Sequence, residues 1–274
     1  YDNNIGEFNS YATIAGGFNN NIGTNSDGSA VLGGQDNSVG VNSFSATIAG
    51  GLANAIGTNA DYSSIGGGRN NIITSESLYA TIPGGHSNTA TNYAFAAGRN
   101  AKAIHVGAFV WADSGLLDIA STNNNSVTMR ATGGYRLFSN GTANSGVSLA
   151  AGGTAWAVIS DRNLKKDFAV VDTLAVLEKL AALPVTQWRY QWESGTDTPH
   201  IGPMAQDFKA AFYPGTDDRS ITTLEADGVT FAAIQGLNQK LEKKEAEITQ
   251  LKSEMQQLKQ LVEAMNQKLN GGAK

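Results

Sequence analysis

Ala46-Thr47-Ile48-Ala49-Gly50-Gly51-Leu52-Ala53-Asn54-Ala55-Ile56-Gly57 belongs to a pattern that returns every seventeen residues through positions 1 to 103. Asparagine recurs at Asn3, Asn20, Asn37, Asn54, Asn71 and Asn88, and an aliphatic residue follows at Ile5, Ile22, Val39, Ile56 and Ile73, with Ala90 closing the series. Glycine keeps step at Gly17, Gly34, Gly51, Gly68 and Gly85. Composition rich in Gly, Asn and Ser is by itself compatible with disorder. The registered Ile/Val positions decide against it: one apolar residue at a fixed place in every repeat stacks into a continuous ladder, and a disordered chain has no reason to keep register. Seventeen residues are too few for a helix pair, and the repeat sets β-branched residues beside glycine, so each copy is expected to be one coil of short parallel strands. Glycine supplies positive φ at the corners. The alternation in Ala46-Thr47-Ile48 and Ala80-Thr81-Ile82 gives each strand one small or apolar inward face, and the asparagines can form a side-chain amide ladder at a turn. The period then shortens to fourteen, Ala80 to Ala94 and Gly84 to Gly98, as a capping coil requires. So narrow a coil buries little core, which makes side-by-side association of chains the expected remedy.

Residues 104 to 159 keep β character without the repeat, in Val106 to Trp111, Ser126 to Arg130, Tyr135 to Phe138, Gly146 to Leu149 and Trp156 to Ile159. Turn signals at Gly133-Gly134, Asn140-Gly141 and Gly152-Gly153 separate them, so this stretch is expected to be a neck of short strands exchanged between chains. Phe109, Trp111, Tyr135, Phe138 and Trp156 are expected to anchor its core.

The chain changes character at Ser160-Asp161-Arg162-Asn163-Leu164-Lys165-Lys166-Asp167, from an almost uncharged sequence to a charged, helical one. With Ile159 in front, this segment sets a hydroxyl beside a peptide carbonyl and an amine five residues on, the minimum parts for a nucleophile and its base. In isolation the plainer reading is a polar turn that caps a helix start. A compact α+β domain is expected over 160 to 233. Leu174, Leu177 and Leu180 share a helical face that Pro184 ends, and Thr186, Trp188, Tyr190 and Trp192 line one face of a strand. A short helix after His200 buries Met204, Phe208 and Phe212, and His200 itself is expected to be structural and hydrogen-bonded. From 234 to 270 the sequence is a heptad: Ile234, Leu237, Leu241, Lys244, Ile248, Leu251, Met255, Leu258, Val262, Met265 and Leu269, with only Lys244 breaking the apolar seam.

Three ordered motifs carry a resemblance. The segment Ser160 to Phe168, then Leu180-Ala181-Ala182-Leu183-Pro184-Val185, then His200-Ile201-Gly202-Pro203-Met204-Ala205-Gln206-Asp207-Phe208, resemble the C-terminal intramolecular chaperone of phage endosialidases and tail fibres, over residues 160 to about 240. That resemblance implies a domain that trimerises, templates the fibre ahead of it and cuts itself off, with Ser160 as nucleophile, Lys165 as base and Ile159-Ser160 as the bond cut. Many members carry a basic residue three after the serine, where this chain has Asn163. The seventeen-residue repeat is in turn similar to the head repeats of trimeric autotransporter adhesins, a β-roll of three chains packed side by side.

The expected fold is therefore mixed: an all-β trimeric parallel β-roll head (1–103) and β neck (104–159), then a small α+β chaperone domain (160–233) ending in a parallel trimeric coiled coil (234–270). The expected function is a trimeric surface or phage tail fibre or adhesin segment that self-cleaves once, in cis, before Ser160, on a bacterial surface or a virion. Its expected partners are two further copies and a cell-surface glycan or protein receptor. With 32 glycines and 16% charged residues, the composition does not suit a compact enzyme, and the net charge of −5 gives no pull toward nucleic acid. Without cysteine there is no disulfide or thiolate metal site, and no cofactor is expected. No segment approaches the ~18 consecutive apolar residues of a membrane span. Because the sequence opens at Tyr1 inside a repeat, it is expected to be a piece of something longer. Two rival readings are a fragment of a polysaccharide-cleaving tailspike, for which Asp113 and Asp118 are the closest carboxylate pair, and a passive stalk with an uncleaved trimerisation domain.

Overall fold

A computed structural model describes residues 1–212 and 217–271, and the side chain of Leu269, last of the heptad series, lies outside the described residues. The chain divides into two compact units, Tyr1–Ile159 and Ser160–Lys274, each considered by itself below.

The first unit is a parallel β-solenoid. Every seventeen-residue copy contributes two-residue strands to two sheets, so that Asn21–Ile22, Ser38–Val39 and Ala55–Ile56 follow one another in the first sheet and Ala30–Val31, Thr47–Ile48 and Ser64–Ile65 in the second. Register is kept residue for residue: Ile22 pairs with Val39 and Val39 with Ile56, while Val31 pairs with Ile48 and Ile48 with Ile65. These two aliphatic columns face each other in the coil and are sealed from solvent.

The corners explain the glycines. Gly51 has φ +94, and a Cβ there would lie 2.1 Å from the Gly68 carbonyl oxygen of the next coil. Asparagine occupies other left-handed corners, at Asn25, Asn42, Asn59 and Asn70. The shortened coil pairs Thr81 with Phe95, fourteen residues on as expected, but Gly98 pairs with Gly85 rather than Gly84, so the coil loses a further residue at that corner. The coil does not stop where the spacing stops. Phe95–Arg99, Phe109–Ala112 and Val127–Arg130 extend the second sheet in parallel register, because Ala96, Val110 and Ala112 still supply small inward side chains.

Only then do Tyr135–Phe138, Gly146–Leu149 and Ala157–Val158 form an antiparallel sheet within the chain. The neck aromatics are not the core anchors expected. Phe109 stacks on Phe95 on the outside of the coil at 4.8 Å between ring centroids, and Trp111, Phe138 and Trp156 are exposed. The pleat forces this outcome: with Val110 and Ala112 turned inward, Phe109 and Trp111 must face out.

The asparagine column is buried and continuous. Asn54 Nδ2 donates to Asn37 Oδ1 at 3.1 Å and to the Gly50 and Gly68 carbonyls at 3.0 Å each, while Asn54 Oδ1 accepts from the Asn71 backbone N–H at 3.0 Å and its Nδ2 at 3.1 Å. Each amide thus satisfies groups on the rung below, its own rung and the rung above.

The second unit opens with a single 3-10 turn, Arg162–Leu164. Helix α1, Thr173–Ala182, is capped by the Asp172 carboxylate on the Ala175 N–H and ends before Pro184. A strand over Thr186–Trp188 pairs antiparallel with His200–Gly202. It stops short of the expected Trp192, since Tyr190 and Glu193 close a tight turn in which the Tyr190 N–H donates to the Glu193 carboxylate at 2.7 Å. Helix α2, Ala205–Phe212, buries Phe208. Helix α3 runs over Thr223–Gly271, well upstream of the heptad, and starts in a capping box of Thr222 and Glu225. The core of this unit is Leu183, Phe208 and Val229 with Val176, Leu180, Phe212 and Ile221 against it. Gly236 lets α3 approach α1, because a Cβ there would meet the Thr173 carbonyl oxygen at 2.2 Å. Among the described residues no helix is long and apolar enough to cross a membrane.

Asn54→Ala removes one amide and orphans several buried groups at once. At about 1–3 kcal/mol for each unsatisfied group, the solenoid should lose at least ~3 kcal/mol, measured by denaturant unfolding, whereas Thr47→Ala on the outer face should stay within about 0.5 kcal/mol.

Candidate functional site

The site is built by the first six residues of the second unit. Asp161 takes an extended conformation at the N-cap, and its Oδ1 accepts from the Asn163 backbone N–H at 2.9 Å and from Asn163 Nδ2 at 3.1 Å. The Lys165 N–H closes the turn on the Arg162 carbonyl oxygen at 3.1 Å. Folding the chain over in this way brings the Lys165 side chain back to the start of the segment, where Nζ donates to Ser160 Oγ at 2.6 Å. Both side chains are exposed in the single chain.

Of the sequence-expected residues, the structure therefore brings Ser160 and Lys165 into contact, and Ile159, whose carbonyl precedes Ser160, is the last residue of the first unit. Lys166 points elsewhere: its Nζ lies 4.0 Å from Asp167 Oδ2 in an exposed pair. The residues missed by sequence reasoning are Asp161 and the Asn163 amide. Asn163 stands where many similar sequences carry a basic residue, and its side chain is committed to fixing the turn. An Asp two residues ahead of an Asn is an Asx-turn signal that could have been read.

Other polar groups that might have competed are engaged. His200 Nε2 meets Glu193 Oε1 at 2.9 Å and stacks on Trp188 at 4.7 Å, the hydrogen-bonded structural role expected of it. Its hydrogen bond is the main reason the Glu193 carboxyl is held below its ordinary range. His105 Nδ1 contacts the Ser121 hydroxyl at 2.8 Å, but that hydroxyl also accepts from the Ile104 N–H, and among the described residues no carboxylate joins them. Asp113 is committed on both oxygens, accepting from Arg130 Nε at 2.7 Å and from the Thr132 N–H and hydroxyl at 2.8 and 2.7 Å. The two Thr132 bonds, then Arg130, hold its carboxyl well below the usual carboxylate range. Asp118 lies 3.9 Å from Lys102. A free acid and base for glycoside cleavage are not found in this carboxylate pair.

A parallel β-solenoid followed by a small α/β unit and a long C-terminal helix is the layout of a tail-fibre-like protein with a chaperone domain at its end. Residues 160–216 match the family described as the chaperone of endosialidase, and the match begins at Ser160 itself. Among curated proteins no match to the chain is found.

The turn should depend on its cap. Asp161→Ala should cost about 1 kcal/mol locally, seen as roughly fivefold faster amide exchange at Asn163, with exchange at Leu177 in α1 unchanged.

Proposed function

We propose that the chain is the solenoid and chaperone of a homotrimeric tail fibre or adhesin, and that its second unit sets the trimer and then frees itself by cutting the Ile159-Ser160 bond. The observation that carries the reading is the 2.6 Å contact between Lys165 Nζ and Ser160 Oγ at the residue where the two compact units divide. Association is supported by α3, whose seam residues Ile234, Leu237, Leu241, Ile248, Leu251, Met255, Leu258, Val262 and Met265 are all about half exposed in the single chain. A stripe of that length in a helix is a docking surface for further copies, and Lys244 within it pairs along the helix with Glu247 at 2.6 Å. On this reading the solenoid and neck form the fibre part (1–159), the chaperone domain spans 160–233 and the coiled coil 234–270. The fibre is displayed on a virion or a bacterial surface. Binding of a cell-surface glycan or protein by the head rests on the adhesin resemblance.

The cut is an acyl shift followed by hydrolysis. Ser160 Oγ attacks the Ile159 carbonyl carbon through a five-membered ring, and its proton passes to Lys165 Nζ. As the C–N bond breaks, that proton goes to the Ser160 nitrogen, leaving an ester between Ile159 and the Ser160 oxygen. Water then opens the ester to give an Ile159 carboxylate and a Ser160 N-terminus. An amine accepts a proton only when neutral, whereas lysine in water is almost wholly charged at neutral pH. Desolvation favours the neutral form, so a pair that is exposed in one chain and covered in an assembled trimer acts only after assembly.

The parent chain should yield two fragments, one ending at Ile159, by intact-mass measurement. Ser160→Ala and Lys165→Ala should each leave a full-length trimer, and Lys166→Ala should still cut. A parent that stays intact as a demonstrated trimer would reduce the domain to a retained chaperone, the passive-stalk alternative.

A further inference from the structure

Each coil has two connections, and in a two-sheet coil these form opposite edges. The outgoing edge, from first sheet to second, includes residues 57 to 63, and the return edge includes 66 to 71. Two anomalies sit on these edges, in the same coils.

On the outgoing edge Tyr62, Tyr79 and Tyr93 stack, with ring centroids 5.1 and 5.4 Å apart and planes within 20° of parallel. All three are more than half exposed, and all have positive φ, 58°, 55° and 56°. A bulky residue in the left-handed region is an outlier; the same position is Tyr11 in the first coil, with φ 61°, and Gly28 and Ser45 in the next two, so only the later tyrosines form a stack. Tyrosine is therefore kept here against local preference. Glu76, on the same edge, is exposed and in no ion pair among the described residues. Through residue 103 this edge carries Glu7, Asp27, Asp61 and Glu76 and no lysine or arginine.

On the return edge, Phe18, Gln35, Leu52, Arg69 and His86 succeed one another in parallel bridges, and Arg99 pairs with His86. The column is thus uncharged in the early coils and basic in the later ones. Arg69 and Arg99 are the only arginines of residues 1 to 103, and the single lysine there, Lys102, is occupied by the Ser87 carbonyl. Among the described residues neither arginine nor His86 joins an ion pair; Arg69 is exposed, whereas His86 Nδ1 and Arg99 Nε are buried without a hydrogen-bond partner and Arg99 Nη1 donates to the Ser114 carbonyl at 3.4 Å. Like-charged groups on adjacent rungs destabilise a sheet, and the exposed guanidinium of Arg69 is the group of this column that an acceptor from outside the coil reaches most readily.

We propose that the two edges recognise each other between neighbouring copies, the Arg69–His86–Arg99 edge of one chain seated against the Tyr62–Tyr79–Tyr93 and Glu76 edge of the next. This inference rests on the reading of parallel copies around one axis. In a closed ring of such copies, each contact joins one edge to the opposite edge of a neighbour at the same height. A coil rises about 4.8 Å, so along the chain Glu76 and Tyr79 fall between Arg69 and His86, and Tyr93 between His86 and Arg99. The rings stack on one another and all three tyrosines remain about half exposed. Their phenol oxygens and the Glu76 carboxylate are acceptors for guanidinium and imidazole N–H donors. The stacked tyrosines and Glu76 lie in the same coils as the basic column, while Glu7, Tyr11 and Asp27 lie in coils whose column is uncharged, so it is the tyrosine stack with Glu76 that a second copy's basic column matches.

The chain has no cysteine, so paired cysteines report the contact directly. In the full chain carrying Ser160→Ala, Tyr79→Cys with His86→Cys, and separately Tyr93→Cys with Arg99→Cys, should oxidise to covalent trimers on non-reducing denaturing gels, while each single substitution should not. Leu251→Cys in α3 serves as an independent crosslink, and native mass spectrometry gives the copy number. A trimer that crosslinks through Leu251→Cys but through neither edge pair overturns the edge contact alone and leaves the basic edge to an outside anion. A monomer by mass, with no crosslink anywhere, overturns the trimer reading and the edge contact with it.

Discussion

The buried asparagine amide is the interaction on which the solenoid depends. Its donors and acceptors are spent on three successive rungs, so a coil is satisfied only when it has neighbours above and below. The aliphatic columns obey the same rule, since Ile22, Val39 and Ile56 are sealed by the rungs on either side of them. Strands two residues long have almost no stability of their own, and order must spread from rung to rung. The same repetition creates a problem for association. Coils that differ little from one another let two chains pair one rung out of step at small cost, and open parallel edges invite that error. In the proposed assembly a device that is not repetitive would set the alignment, and the compact α/β domain with its long heptad helix is proposed for that role.

Much of this was legible in the sequence because a strict period leaves few physical solutions. Ile56 was assigned its inward position by spacing alone, and the asparagines were read as an amide ladder at a turn; that Asn54 is fully buried is shown only by the structure. Spacing failed where the period failed. The coil continues through Phe109–Ala112 and Val127–Arg130 on the strength of small inward residues at Val110 and Ala112, a signal that composition conceals behind the large aromatics between them. Those aromatics read as core because size usually decides burial, but the interior of this coil is too narrow for a ring. The Tyr190–Glu193 turn interrupted an alternation that looked like a strand, a local hydrogen bond prevailing over a pattern.

At the candidate site, Ser160 and Lys165 were picked out by resemblance, whereas the reason they meet is local. Asp161 and Asn163 build a turn that returns the fifth residue to the first. The contact is exposed in one chain, and the seam of α3 is exposed along the same unit. In the proposed assembly both surfaces would be covered by further copies. Linking cleavage to burial would keep the chaperone attached until its work of alignment is done.

The central claim is that residues 160–274 are needed to reach the assembled solenoid and not to maintain it. The most direct measurement is refolding from denaturant, comparing residues 1–159 alone with the full chain carrying Ser160→Ala, and reading β-sheet circular dichroism together with copy number. The account predicts that the full chain returns to a β-rich trimer while 1–159 alone aggregates or stays unassembled, although 1–159 released from an already formed trimer persists. Equal recovery of trimer by both would contradict it.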